Sequence, residues 1–80
     1  NLDIANLANA DLTSANLTNA TLVGSNLMFA NLNGTDLTNA NLDRAQFLDT
    51  VDLSNTTFSN TICPSGLNSD DNGFSCDGQF

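Results

Sequence analysis

The chain has 80 residues and a formal net charge of −8, from nine Asp residues and one basic residue, Arg44. A single cation argues against binding nucleic acid or an anionic membrane, and without His or Lys acid–base chemistry would fall to carboxylates alone. No apolar run reaches transmembrane length, so membrane insertion is not expected, and no signal peptide is visible.

The chain opens directly in a five-residue register. A large apolar residue recurs at Leu2, Leu7, Leu12, Leu17, Leu22, Leu27, Leu32, Leu37, Leu42 and Phe47. Two residues before each from Leu7 on stands a small one: Ala5, Ala10, Ala15, Ala20, Ser25, Ala30, Thr35, Ala40, Ala45. Neither ordinary element has this period. On a helix, residues five apart step by roughly 140° and share no face. On a strand they alternate between the two sides. The chain must therefore bend once per repeat, with the small residue and the Leu both pointing inward from a short extended segment.

Two residues after the apolar position stand Asn9, Ser14, Asn19, Gly24, Gly34, Asn39, Asp49, Asn55 and Asn60. Gly, Asn and Asp tolerate positive φ and close tight turns. Ile4, Phe29 and Arg44 break that pattern and are expected to be costlier there. Four right-angle bends close a coil, so residues about twenty apart should stack at strand spacing, about 4.8 Å.

Folding the string this way gives inward columns Leu2–Leu22–Leu42, Leu7–Leu27–Phe47, Leu12–Leu32–Leu53 and Leu17–Leu37–Phe58. Ser25 and Thr35 become buried hydroxyls, expected to bond backbone within a turn. Between Phe47 and Leu53 the spacing grows by one, so an extra residue is expected in a bulged corner around Leu48 to Thr50. Nothing covers the first coil from Asn1, and the chain does not open on Met. A processed product or part of a longer protein is expected, with preceding chain or a second copy covering that end.

The order of small residue, Asn or Asp, Leu and two variable residues runs over about Asn1 to Ser65 and resembles the pentapeptide-repeat family. The resemblance implies an all-β fold, a right-handed quadrilateral β-helix of about three coils. The handedness comes from the resemblance alone. Residues 1–63 would form the helix and residues 64–80 a C-terminal cap.

That final segment is rich in Gly, Ser, Asn and Asp, the composition of turns. Cys63 and Cys76 would close a loop of about fourteen residues, worth roughly 3 kcal/mol in the chain-entropy model. In a chain without the bases of thiol catalysis a structural disulfide is preferred. A free, metal-binding or redox pair is the alternative. Leu67, Phe74 and Phe80 could plug the open end. The run from Cys63 through Pro64, Ser65 and Gly66 to Cys76 also resembles the ending of cyanobacterial and plastid-lumen family members, with Ser65 in place of their Asp. That resemblance implies an oxidising compartment, the thylakoid lumen or the periplasm.

Function is less legible. Ala8, Met28 and Leu48, with Phe29 beside them, form an apolar patch on an otherwise Asn, Thr and Asp surface, which suggests an interaction site for a protein partner or for self-association. The bland alternative is that the tail covers the patch, or that Phe29 folds over its corner. Thr18, Thr38 and Ser59 beside Asn19, Asn39 and Asn60 read as ladder and turn chemistry rather than an ice-binding array.

Asn68, Asp70, Asn72 and Gly73 echo a calcium loop, but Gln79 stands where its final acid belongs, so an Asx turn is preferred and no metal or cofactor is expected. Catalysis finds no support: Asp3 and Asp43 stack two coils apart, and no Ser neighbours a base. The family resemblance also implies a rival, a DNA-mimicking inhibitor of gyrase. Acidity suits it, yet eight of the nine Asp residues scatter, with Asp3 and Asp43, Asp11 and Asp52, and Asp36 on three faces and three more in the tail.

Overall fold

The computed structural model describes residues 2–46, 51–72 and 76. Its local unit is a four-residue turn that begins at each Leu. The Leu carbonyl accepts the amide three residues on, from Ala5 N–H to Leu2 O at 3.1 Å through Ala45 to Leu42 at 2.8 Å. Across these turns the third residue lies in the left-handed region, with φ of 57–73° from Ile4 to Arg44. Positive φ at the third position alone is the signature of a type II turn. Ile4, Phe29 and Arg44 adopt the same conformation as the Asn, Ser and Gly corners, with φ of 61°, 57° and 59°.

Four such turns bring the chain back over itself. Parallel bridges join Asn6 to Asn26 to Gln46, Asp11 to Asn31 to Asp52, Asn16 to Asp36 to Thr57, and Thr21 to Asn41 to Ile62. The offset is twenty residues until Gln46 and twenty-one from Asp52 onward, so the extra residue lies between them. The expected bulge at residues 48–50, and the column position of Phe47, fall outside the described residues. Adjacent coils exchange backbone bonds in both directions, as in Leu7 N–H to Asn26 O at 2.8 Å and Asn26 N–H to Ala5 O at 2.9 Å.

The β pairing is limited to single bridges. Among the described residues there is no extended strand, only isolated bridges and a short 3₁₀ helix, Ser69–Asn72. The reason is the length of each side. Between turns only a small residue, a polar residue and a Leu remain, and the chain bends before a second residue completes a bridge.

The core is the stack of inward residues. Leu22, Leu27, Leu32, Leu37 and Leu42 are fully buried, and Phe58 nearly so. Leu2, Leu7, Leu12 and Leu17 are half-buried because the first coil has a described neighbour on one side only. Leu53 is also half-buried. Burying one Leu is worth about 1.5–3 kcal/mol, so the middle coil carries much of the stability.

After Ile62 the chain reverses. Ile62 bridges Asn68 in antiparallel sense, Gly66 N–H closes a turn on Cys63 O at 2.8 Å, and Ser69 N–H reaches Thr61 O at 2.7 Å. Cys63 and Cys76 form a disulfide with Cα atoms 5.3 Å apart, and both are buried. Leu67 is 38% exposed and does not plug the end of the core. Phe74 and Phe80 lie outside the described residues.

Candidate functional site

The outward residues decide what the coil can do, and most are committed to holding it. The residue between the small residue and the Leu accepts, through its side-chain oxygen, the amide two positions on. Asn6 does so for Ala8 at 3.1 Å, Asp11 for Thr13 at 3.0 Å, Asn26 for Met28 at 3.0 Å and Asn41 for Asp43 at 2.9 Å. Asn16, Asn31, Asp36 and Asp52 repeat the bond. This is the Asx turn, and it satisfies an amide that the corner would otherwise leave to water.

The exceptions follow the same accounting. At Thr21, Val23 N–H is taken instead by Asp3 Oδ1 of the preceding coil at 2.9 Å. At Thr57, Ser59 N–H donates instead to Thr61 Oγ1 at 3.2 Å. Ile62 has no acceptor, but the residue two positions on is Pro64, which has no N–H.

Three carboxylates belong to this scheme. Hydrogen bonds from the Thr13 hydroxyl and amide hold Asp11 below the usual carboxylate range, and those from Thr38 do the same for Asp36. Asp52 is lowered chiefly by the amide of Ser54. Each serves as a turn acceptor, Asp11 and Asp52 two coils apart on one column and Asp36 on the next.

The Thr hydroxyls turned toward the core bond between coils, Thr61 also donating to Ser59 O at 3.4 Å. Thr35 Oγ1 donates to Leu12 O at 2.8 Å, Thr56 to Leu32 O at 2.8 Å and Thr61 to Leu37 O at 2.7 Å. Ser25 Oγ is buried without a hydrogen-bond partner.

One corner carries an amide ladder. Asn39 Nδ2 donates to Asn19 Oδ1 at 3.1 Å and Asn60 Nδ2 to Asn39 Oδ1 at 2.9 Å. The ladder continues into the C-terminal segment, where Asn68 Nδ2 donates to Asn60 Oδ1 at 2.7 Å. The calcium-like run is built into this join. Asn68 Oδ1 accepts Asp70 N–H at 2.9 Å, and Asp70 Oδ1 accepts Asn60 N–H at 2.8 Å, so those oxygens serve the fold. Gly73 and Gln79 lie outside the described residues. Thr18 and Thr38 turn their hydroxyls to Asn16 and Asp36, at 2.7 and 2.6 Å, rather than presenting a plain hydroxyl array.

The face running over the bridges Asn6–Asn26–Gln46 differs from the others. It begins at the corner column Ile4–Gly24–Arg44 and carries Ala8 and Met28, both half-buried, toward the next corner, where Phe29 stands 62% exposed. Leu48, the fourth residue of the expected patch, is outside the described residues. Ile4 is 82% exposed. A Cβ on Gly24 would lie 3.7 Å from the Ile4 Cγ1 atom, so that side chain covers the corner of the coil beside it. Reading inward positions alone overlooks Ile4 as part of this surface. The signal was its departure from the Asn/Gly/Ser corner pattern.

The family model for pentapeptide repeats matches residues 5–44 and 25–62, in eight copies. No curated protein matches the chain. The matched residues are those that form the turns and bridges described above, and the chain belongs to the pentapeptide-repeat family.

Proposed function

We propose that the chain is a right-handed quadrilateral β-helix that serves as a protein-interaction module. Its work is done by side chains displayed on one face rather than by a reaction. Four turns per coil and parallel bridges at the coil offset support the architecture, and family membership supports the hand and a non-enzymatic repeat protein. Residues 64–80 act as a C-terminal cap, a reading supported by the Ile62–Asn68 bridge and the disulfide. The disulfide is compatible with an oxidising compartment, and we place the chain in the periplasm or thylakoid lumen.

The observation that carries the functional reading is Phe29, a large apolar side chain 62% exposed on a left-handed corner. A coil built for stability alone would place Asn or Gly there. Ala8, Met28, Phe29 and Leu48 form the binding patch. The test is a photo-crosslinking side chain at Met28, compared with one at Thr38, which occupies the same turn position elsewhere on the coil. An adduct formed in native extract only from position 28 supports the patch. Equal or absent labelling at both positions rejects it.

The rival reading, a DNA mimic acting on gyrase, draws on the net charge of −8. Its three described Asx carboxylates sit on the Asp11–Asn31–Asp52 and Asn16–Asp36–Thr57 columns, interrupted by neutral residues. A mimic needs a continuous charged stripe, and an unchanged gyrase supercoiling assay is the expected result.

A further inference from the structure

We infer that Asn33–Gly34 is a latent site of intramolecular modification, which the third coil holds shut. The chemistry is deamidation through a cyclic imide. The Gly34 amide nitrogen loses its proton to solvent base and attacks Asn33 Cγ. The bond from Cγ to Nδ2 breaks, and Nδ2 leaves as ammonia. Water then opens the imide at either carbonyl, giving Asp or an isoaspartyl link. Asn before Gly is the pair most open to this attack, because Gly brings no side chain to crowd the nitrogen. The chain has two such pairs, Asn33–Gly34 and Asn72–Gly73, and Gly73 lies outside the described residues. Every other Asn precedes a residue with a side chain.

The coil keeps the reacting atoms apart. Asn33 and Gly34 are the second and third residues of the turn that Thr35 N–H closes on Leu32 O at 3.0 Å, with Gly34 at φ 73°. A type II turn holds ψ of its second residue at about +120°. The imide ring forms only when Cβ and the following nitrogen are nearly eclipsed about the Cα–C bond, which that ψ forbids. The third coil then occupies both partners. Gly34 N–H donates to Ser54 O at 3.0 Å, and the Asn33 side-chain amide donates to the Asp52 carboxylate. Opening of the segment that carries Asp52 and Ser54 frees nucleophile and electrophile together. Gly34 is exposed and Asn33 half-buried, so solvent is already at the site.

The isoaspartyl product does not fit back into the coil. It lengthens the backbone between Leu32 and Thr35 by an atom. It also turns the Asn33 carbonyl, which accepts Ser14 N–H at 2.8 Å, into a free carboxylate. Opening of the third coil is thereby converted into a permanent break in the second.

The test holds the intact, disulfide-bonded chain at mildly alkaline pH, folded in buffer or unfolded in urea, and then cuts it with trypsin. Arg44 is the single basic residue, so the cut separates Asn33 in residues 1–44 from Asn72 in residues 45–80. The readout is the mass gained as NH2 is replaced by OH, assigned to Asn33 by its disappearance in Asn33→Gln. Unfolded chain should gain that mass at least about a hundredfold faster than folded chain. Leu53→Ala, which loosens the third coil, should speed the folded reaction about tenfold. Leu12→Ala, which loosens the first coil, should speed it clearly less. Hydrogen exchange reads the same gate in the unsubstituted chain. The Gly34 amide should exchange together with that of Thr57, which bonds the third coil to Thr35 O, and faster than that of Asn31, which bonds the first coil at Ala10 O. Isoaspartyl chain purified from urea should not regain the native circular dichroism spectrum.

Folded chain that modifies Asn33 as fast as unfolded chain overturns the inference, as does unfolded chain that leaves Asn33 intact. Equal acceleration by Leu53→Ala and Leu12→Ala, or a Gly34 amide that exchanges no faster than that of Asn31, removes the third coil as the gate. Isoaspartyl chain that refolds to the native spectrum removes the permanent break.

Discussion

At the residue scale, the third residue of each turn shows how stability and display compete. Ile4 and Phe29 hold φ of 61° and 57°, where Asn is tolerated far better than a bulky side chain. Phe29→Asn is therefore expected to raise unfolding free energy by about 0.5–1 kcal/mol, measured by urea denaturation. A decrease would mean that Phe29 contributes packing across its corner. The buried hydroxyls give a paired expectation. Thr35→Val removes the bond to Leu12 O and should cost about 1 kcal/mol, since that carbonyl keeps the Ala15 amide. Ser25→Ala removes a buried hydroxyl that has no partner and should be neutral or stabilising. Equal losses at both sites would contradict the assignment.

At the element scale, each repeat is held by a turn bond and an Asx bond. Asp11, Asp36 and Asp52 lose their protons more readily in the folded coil than the reference value of 3.8. Their contribution is fully present above that value and is lost as pH falls through the lower folded values. The triple substitution Asp11→Asn, Asp36→Asn and Asp52→Asn keeps the amide acceptor, as Asn6 and Asn16 do. Its urea midpoint should fall less steeply than that of the wild type below about pH 4. Parallel profiles would show that these bonds do not couple to stability. Position along the stack matters as well. Leu32→Ala in the middle coil should cost about 2–5 kcal/mol, and Leu12→Ala in the half-covered first coil clearly less.

At the scale of the whole molecule, each coil depends on its neighbours, so the ends decide how far the array holds together. The C-terminal end is tied by the Asn19–Asn39–Asn60–Asn68 ladder, the Ile62–Asn68 bridge and the disulfide. Cys63→Ser with Cys76→Ser should lower stability by about 3 kcal/mol. Intact mass with and without reductant should show one added hydrogen per sulfur on reduction. A chain whose mass and stability are unchanged by reductant would remove the disulfide from this account. The Arg44–Asp43 pair, 3.6 Å apart with Arg44 largely exposed, contributes little to this scale.

The sequence by itself determined the five-residue turn, the inward columns and the one-residue slip. Each rests on bonds and bends contained within a repeat, such as Ala10 N–H to Leu7 O, and on a period that counting reveals. It also marked Ile4, Phe29 and Arg44 as exceptions, because the left-handed corner discriminates among side chains locally. Only the tertiary structure decided which group one coil away completes each bond. It sent the Thr35 hydroxyl to Leu12 O, gave Val23 the Asp3 carboxylate in place of an Asx bond, and left Ser25 without a partner. It also limited each side to a single bridge and carried the asparagine ladder into the C-terminal segment. Those outcomes depend on groups eight to twenty-four residues apart meeting at hydrogen-bond distance, and no local preference of the chain specifies that geometry.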